Sequence, residues 1–349
     1  MKEDKMKDDS MSDLKNQLSD YDVSFDSNIE VINSQWVLFN KFIGGIPVGK
    51  IVVIQALEGV GKSSMAAQIG GWLNSQKYNI IYLDTEAAMS TARFQQLGLN
   101  INSKSVLYMQ PTTLQMAFGI IQNIIKTKAS KKMNDPMFII WDSLAATPAA
   151  EEIEVTGQEI GIRARVISQG LRIITSLLTK VKITLIIVNQ YRMKMSTMPT
   201  WGGPQYITPG GIAPRFHSFQ TIELKDFKKF DTDEMGEFSG KLIKVKALKN
   251  KYLPPLVEFN MYYSYTHGFI DSYTVFYALK DAKKIKSAGP WWWIDGLENK
   301  KFKKLDFDNL YNTDTELHAA VLKLIDELHP EMKGESIETT GDDADEESQ

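Results

Sequence analysis

Cysteine is absent from all 349 residues. That excludes disulfides, thiolate zinc sites and a cysteine nucleophile, and it fits a reducing cytosol. Histidine is scarce: His217, His267, His318 and His329 are the only four, and none stands at metal-ligand spacing from another. No apolar run approaches the ~18 residues of a membrane helix, so no membrane partner is expected. The first thirty residues are polar and acidic, without the pattern of a secretory signal, and the expected location is cytoplasmic. The remainder, 43% hydrophobic and 24% charged, is ordinary for a soluble globular chain. Its length suits one large domain, or a large one with a small companion.

The net charge of −3 is unevenly spread. Residues 335–349 hold seven acids and no Lys or Arg; residues 1–30 hold nine acids against four lysines; the body between them carries nine positive charges in excess. A basic body suits a polyanionic partner, because Lys and Arg release counterions from phosphates. A solvated charged surface accounts for so modest an excess equally well.

Residues 1–30 read as a flexible acidic arm with a short helix over 12–18. Beyond them, the runs 50–55, 79–83, 137–141 and 183–188 are rich in Ile and Val and lack period-two alternation. Strands covered on both faces of a parallel sheet read this way. Helical stretches at 63–75, 114–128 and 160–179 lie between them, which gives a doubly wound α/β sheet. The segment 193–214 holds four prolines and four glycines, and a loop of that length in a compact domain is usually functional. Strands are expected at 219–224, 240–247 and 256–263, then helices over 272–287 and 315–328. The domains expected are an arm (1–30), a core (31–271), a small C-terminal domain (272–332) and an acidic tail (333–349). Trp291, Trp292 and Trp293 are expected to be core packing, as tryptophan usually is.

All four buried strands end in polar residues, on the side where open parallel sheets bind ligands. The first runs into Ala56-Leu57-Glu58-Gly59-Val60-Gly61-Lys62-Ser63, a phosphate loop with Ala in place of the first Gly of GxxxxGK[ST]. Its N–H groups cradle phosphates, Lys62 reaches the terminal phosphates and the Ser63 hydroxyl binds Mg²⁺, with Ser64 beside it on the helix. ATP with Mg²⁺ is the ligand expected. Asp142, after Phe138-Ile139-Ile140-Trp141, fits the acid that holds the Mg²⁺ hydration shell; a strand-end Asp capping the next turn is the competing account. Glu86 is placed to activate water for attack on the γ-phosphate, or else caps a helix or is simply solvated. Gln190 either contacts the γ-phosphate or satisfies backbone groups at the sheet end. On the helix 160–179, Ile160, Ala164, Ile167, Leu171, Ile174 and Leu178 form one stripe, and Arg165 and Arg172 lie well away from it. Two guanidiniums on one exposed face can grip phosphates, though solvated surface arginines are the commoner case.

Several further segments, in order, resemble a RecA-family recombinase over residues 31–295. Ile139-Ile140-Trp141-Asp142-Ser143-Leu144-Ala145-Ala146 is similar to the family's Walker B segment. Ile187-Val188-Asn189-Gln190-Tyr191-Arg192-Met193-Lys194 is similar to its sensor strand running into the second DNA loop. Val245-Lys246-Ala247-Leu248-Lys249-Asn250-Lys251 is similar to the segment whose two lysines reach the neighbouring protomer's ATP site. Met11-Ser12-Asp13-Leu14-Lys15 resembles the opening of phage UvsX recombinases, which implies a phage-type member, in the bacterial host cytoplasm if phage-encoded.

The resemblance implies a RecA-type P-loop ATPase core with a mostly parallel sheet and a small α+β C-terminal domain. It implies a DNA-dependent ATPase that polymerises as a helical filament on single-stranded DNA, takes double-stranded DNA second, and promotes strand exchange. Single-strand binding and mediator proteins are implied partners. A RecA-fold helicase or ring motor, and an ATP-gated DNA-coating protein with little turnover, are the alternatives.

By matching position, Glu86, Lys62 and Gln190 are the implied catalytic residues. Glu58, Gly59, Val60, Gly61, Lys62, Ser63, Ser64, Arg93 and Asp142 hold the nucleotide, with Lys249 and Lys251 acting in trans. Residues 154–161 match the first DNA loop, with Arg165, Ser168 and Arg172 after it. Residues 194–211 match the second, with Arg192, Lys194, Gly210 and Gly211 as DNA contacts. Arg215-Phe216 sits where the family has a basic residue and a Phe near the protomer interface. Arg93 replaces the family's adenine-stacking Tyr and Ser90 its base-reading Asp, although a guanidinium also stacks on a purine. Lys283, Lys284 and Lys286 are matched to duplex DNA contact.

Overall fold

The computed structural model describes residues 29–154, 161–193, 206–230, 239–328 and 331–332. The 12–18 helix, most of the first loop, Lys194 and the acidic tail lie outside them. In chain order the main elements are α1 (Val37–Ile43), β1 (Ile51–Ala56), α2 (Lys62–Ser75), β2 (Asn79–Asp84), β3 (Val106–Met109), α3 (Leu114–Ser130) and β4 (Met137–Asp142). There follow α4 (Ile162–Lys180), β5 (Ile183–Gln190), β6 (Gln220–Phe230), β7 (Gly240–Asn250), β8 (Val257–Ser264), β9 (Gly268–Phe269) and α5 (Asp271–Asp281). β10 (Ile285–Ala288), β11 (Trp291–Ile294) and β12 (Phe302–Lys303) form a small antiparallel sheet, followed by α6 (Phe307–Thr313) and α7 (Thr315–Asp326).

The large sheet runs β9-β8-β7-β6-β1-β5-β4-β2-β3. From β6 to β3 every pairing is parallel; β6 to β9 are antiparallel. The unbroken apolar runs follow from two covered faces. Val52 and Ile54 of β1, Tyr82 of β2, Ile140 of β4 and Val188 of β5 join one hydrophobic cluster with α2. Ile51, Val53, Leu83, Trp141 and Ile187, their chain neighbours, join a second with α3 and α4. Successive side chains point to opposite faces, so both sets must be apolar. Among the described residues no helix is long and apolar enough to cross a membrane.

Three expectations need correction. The stripe on α4 is Ile162, Ile167, Gly170, Leu171, Ile174 and Leu178, with Ala164 half-buried. The helix begins only after Gly161, whose φ of 98° is left-handed; Ile160 lies outside the described residues. The helix expected over 272–287 ends at Asp281, because Lys283 turns left-handed at φ 58°, and the chain continues as β10. Of the tryptophans, Trp292 packs on Phe276 with ring centroids 5.4 Å apart, while Trp291 is 45% exposed. Alternation along a short strand sends neighbouring side chains to opposite faces, so the three cannot all be core.

The apolar core continues across Asp271 into Phe276, Phe307 and Ile325. Asp271 itself crosslinks distant segments: its carboxylate accepts the Val37 N–H at 2.9 Å and the Tyr311 hydroxyl at 2.7 Å. Burial pushes this carboxyl up to about 6. The folded pKa therefore exceeds the unfolded one, the folded state holds the extra proton, and stability from this group falls as pH rises from about 4 to 6. The loss is at most about 3 kcal/mol. Urea unfolding of wild type and Asp271→Asn at pH 4.5 and pH 7 checks it. Wild type should lose stability relative to the variant at the higher pH; a constant difference would rule the effect out.

Candidate active site

β1 delivers the chain into the loop 57–61, and α2 starts at Lys62. Gly59 and Gly61 take φ of 72° and 107°, values that L side chains rarely adopt. A side chain on Gly61 would also meet the Tyr263 ring at 3.2 Å. α2 has no capping side chain and no acid in its first turn. Its free N–H groups are thus left for an external anion. Buried Lys62 donates to the Leu57 carbonyl at 2.7 Å. Burial pushes its pKa down, opposed by Asp142, Glu86 and Glu58, so these three acids face one ammonium. Glu58 is exposed. The Ser64 hydroxyl shares a hydrogen bond with the Tyr263 hydroxyl at 3.1 Å, so Ser64 offers a phosphate only its backbone.

The strand ends are stitched together beside the loop. Asp142, last in β4, accepts the Ser63 hydroxyl at 3.0 Å and the Tyr82 hydroxyl at 2.8 Å. Burial raises its pKa to about 6. Ser143, not Asp142, caps the turn that follows, taking the Ala146 N–H at 3.3 Å. Asp84 shapes the next turn by accepting the N–H groups of Glu86 (3.1 Å) and Ala87 (2.7 Å), and it is held by the Tyr108 hydroxyl at 2.7 Å. Glu86 is exposed and accepts the Ser143 hydroxyl. Lys62, Ser63, Asp142 and Glu86 therefore stand together: a cation, a hydroxyl, a buried acid and a solvent-facing acid.

Gln190 pairs in register with Ala56 at the loop's root. Asn189 is the residue that satisfies the backbone there, accepting Gln190 N at 3.0 Å and donating to Pro209 O at 3.2 Å. The Gln190 side chain is without a hydrogen bond to the described residues. Ser90 caps the short helix Thr91–Gln96 by accepting Arg93 N at 3.2 Å. The Arg93 guanidinium is engaged by the Thr266 carbonyl and by Gln96.

Lys249 and Lys251 are not brought to this site. Lys249 pairs with Thr221, which pairs with Val53, whereas the phosphate loop leaves β1 from Ala56. Both lysines thus lie toward the far end of the strands. Lys249 donates to the carbonyls of Arg215 (2.7 Å) and Phe216 (2.8 Å). Burial, Lys251 and Arg215 together lower its pKa. Phe216 beside it is 70% exposed.

Arg165, Ser168 and Arg172 share the exposed face of α4. Gly210 (φ 84°) lies against this helix, where a side chain would come within 3.0 Å of Ile167. Gly211 closes a turn by donating to Thr208 O at 3.0 Å. Arg192 begins a two-residue strand paired with Tyr206–Ile207, so the described ends of the long loop form the base of a hairpin; Lys194 lies outside the described residues. Lys283, Lys284 and Lys286 sit at the edge of the small sheet, with Lys284 paired to Glu327 and Lys286 to Asp295.

The residue patterns did not single out Tyr82 or Lys241; they placed Asp84 and Ser143 at the polar strand ends and gave neither a role. The signal for Tyr82 was its place in a strand that ends in such an acid. Lys241 had none, being 182 positions from the carbonyl it contacts.

Residues 15–270 match the family model of the RecA N-terminal domain. The chain is 32% identical over 259 residues to Protein RecA of Delftia acidovorans, covering 73% of this chain and 66% of that protein. It is 30% identical over 270 residues to Protein RecA of Borrelia turicatae, covering 76% and 71%. For Protein RecA of Lactobacillus acidophilus the figures are 31% over 252 residues, 72% and 66%. The chain thus spans about two thirds of the length of these curated relatives, 66% to 71%.

Proposed function

Because the chain belongs to the RecA family, we propose that it is a DNA-dependent ATPase that polymerises on single-stranded DNA and promotes homologous pairing and strand exchange. One observation carries the reading: Lys62, Ser63, Asp142 and Glu86 meet at one strand-end site, while Lys249 and Lys251 lie where their own loop is out of reach. The first set is what phosphoryl transfer to water requires. The second has a use at a nucleotide only if the nucleotide belongs to a neighbouring copy.

The residues present fit ATP with Mg²⁺. The left-handed glycines and the uncapped helix N-terminus suit phosphates, and the Ser63–Asp142 pair offers one hydroxyl and one acid to a hydrated cation. A bound Mg²⁺ supplies charge neutralisation on the phosphates, taking most of its ligands from phosphate and water. Lys62 exchanges the Leu57 carbonyl for a phosphate oxygen. Glu86 orients water and accepts its proton. Gln190, free of protein partners among the described residues, reads the γ-phosphate at the root of the long loop. Arg93 takes the place of a stacking ring against the base. Arg165, Ser168 and Arg172, with Arg192, Lys194 and the Gly210–Gly211 turn, contact single-stranded DNA; duplex DNA binds second. The resemblance of residues 11–15 supports a phage-type member.

Electron microscopy with single-stranded DNA and a non-hydrolysable ATP analogue tests the reading. Helical filaments are expected; closed hexamers that unwind DNA would replace it with a ring motor. Lys249→Ala combined with Lys251→Ala should abolish these filaments and the DNA-stimulated hydrolysis, with nucleotide affinity of dilute protein held within about threefold, since no trans contact exists there. Normal filaments from the double variant would remove the shared-site scheme.

A further inference from the structure

Besides Lys62, a second lysine reaches the phosphate loop, from the antiparallel part of the sheet. Lys241, next to the start of β7, donates from Nζ to the Gly59 carbonyl at 2.8 Å and pairs with Asp226 Oδ1 at 2.7 Å. Its side chain is 4% exposed, and Nζ lies 5.7 Å from the centre of the Tyr263 ring. That ring is the one against Gly61, and its hydroxyl is the one bonded to Ser64. Lys241 and Tyr263 therefore hold the loop at Gly59, Gly61 and Ser64. A β-bulge supplies the local geometry: the register of β6 against β7 shifts between Asp226 and Lys228. Such bulges re-aim the side chains beside them.

A buried ammonium costs several kcal/mol unless oxygen partners offset its lost hydration. Lys241 has two such partners, and one is a backbone carbonyl of the phosphate loop. In a planar trans peptide the carbonyl and the following N–H point in opposite directions. Fixing the Gly59 carbonyl therefore also fixes the direction of the Val60 N–H. The charge itself acts within electrostatic range of Lys62.

We propose that Lys241 is a second cation of the phosphate loop, a positioning residue that sets the Gly59–Val60 peptide and strengthens binding of a nucleotide polyphosphate without touching it. The proposal rests on the nucleotide-binding reading above. Because Lys241 holds the loop and not the reacting phosphate, it acts on ground state and transition state alike. Its loss should appear in affinity and not in turnover at saturation.

The test measures binding of a fluorescent ATP analogue and of ADP, both with Mg²⁺, to the full chain and to Lys241→Met, together with hydrolysis at saturating ATP. Affinity for both nucleotides should fall roughly tenfold, the scale of one lost charge-assisted hydrogen bond, while saturated hydrolysis stays within about threefold. Lys241→Gln keeps a donor and drops the charge. It should weaken both nucleotides by roughly threefold, and it carries the test if the methionine variant does not fold. A folded variant that binds both nucleotides within twofold of wild type overturns the proposal, as does a drop in saturated hydrolysis at unchanged affinity. Wild type that binds neither nucleotide sinks the nucleotide reading itself.

Discussion

Replacing Lys62 with Ala should abolish nucleotide-dependent filament formation. In the described structure the ammonium rests on the Leu57 carbonyl, 2.7 Å away, and is buried. It faces Asp142, Glu86 and Glu58, so a triphosphate entering without it meets acids and no loop cation in direct contact. Charge-assisted bonds to phosphate are about twice as strong as neutral ones. Losing the main one should weaken nucleotide binding by roughly a hundredfold or more. The fold should survive. Burial lowers the Lys62 pKa, so its charged form is less stable in the folded protein than in the unfolded chain, and removing it relieves that strain. Equilibrium nucleotide binding, thermal unfolding and electron microscopy on single-stranded DNA check all three statements. ATP-dependent filaments equal to wild type would count decisively against the site.

Glu86→Gln should separate binding from hydrolysis. Glu86 is exposed at the mouth of the site, with one carboxylate oxygen accepting the Ser143 hydroxyl and the turn beneath it fixed by Asp84. On the proposed reading, its second oxygen orients the attacking water. The amide keeps the size and the acceptor but cannot take a proton, so hydrolysis should fall by roughly 10²–10⁴-fold, the usual share of a general base. Nucleotide affinity should stay within about twofold, because Glu86 lies outside the N–H cradle. Filaments formed with ATP should then persist as long as those formed with the non-hydrolysable analogue. Hydrolysis within threefold of wild type would remove Glu86 from the mechanism.

Much of this was legible in residue order. The parallel core was readable because β1, β2, β4 and β5 are buried on both faces, which forces unbroken Ile and Val runs. β3 was missed: only four residues long and with Leu107 50% exposed, it lacks that signature. The ends of α4 and α5 were misplaced because left-handed backbone stops them, at Gly161 before α4 and at Lys283 after α5. Lysine gives no sequence warning of that conformation.

For the phosphate loop, sequence alone determined its place, its glycines and the strand-end acids, since all are local consequences of a strand turning into a helix. Only the tertiary structure decided what those residues touch. It gave Asp142 to Ser63 and Tyr82 rather than to the next turn, made Asn189 and not Gln190 the backbone's partner, and put Lys249 and Lys251 beyond reach of their own loop. It also set Lys241 on Gly59. The Asp142 and Lys241 contacts join residues separated by 60 to 182 positions. Sheet order and register set such distances, and no local pattern encodes them.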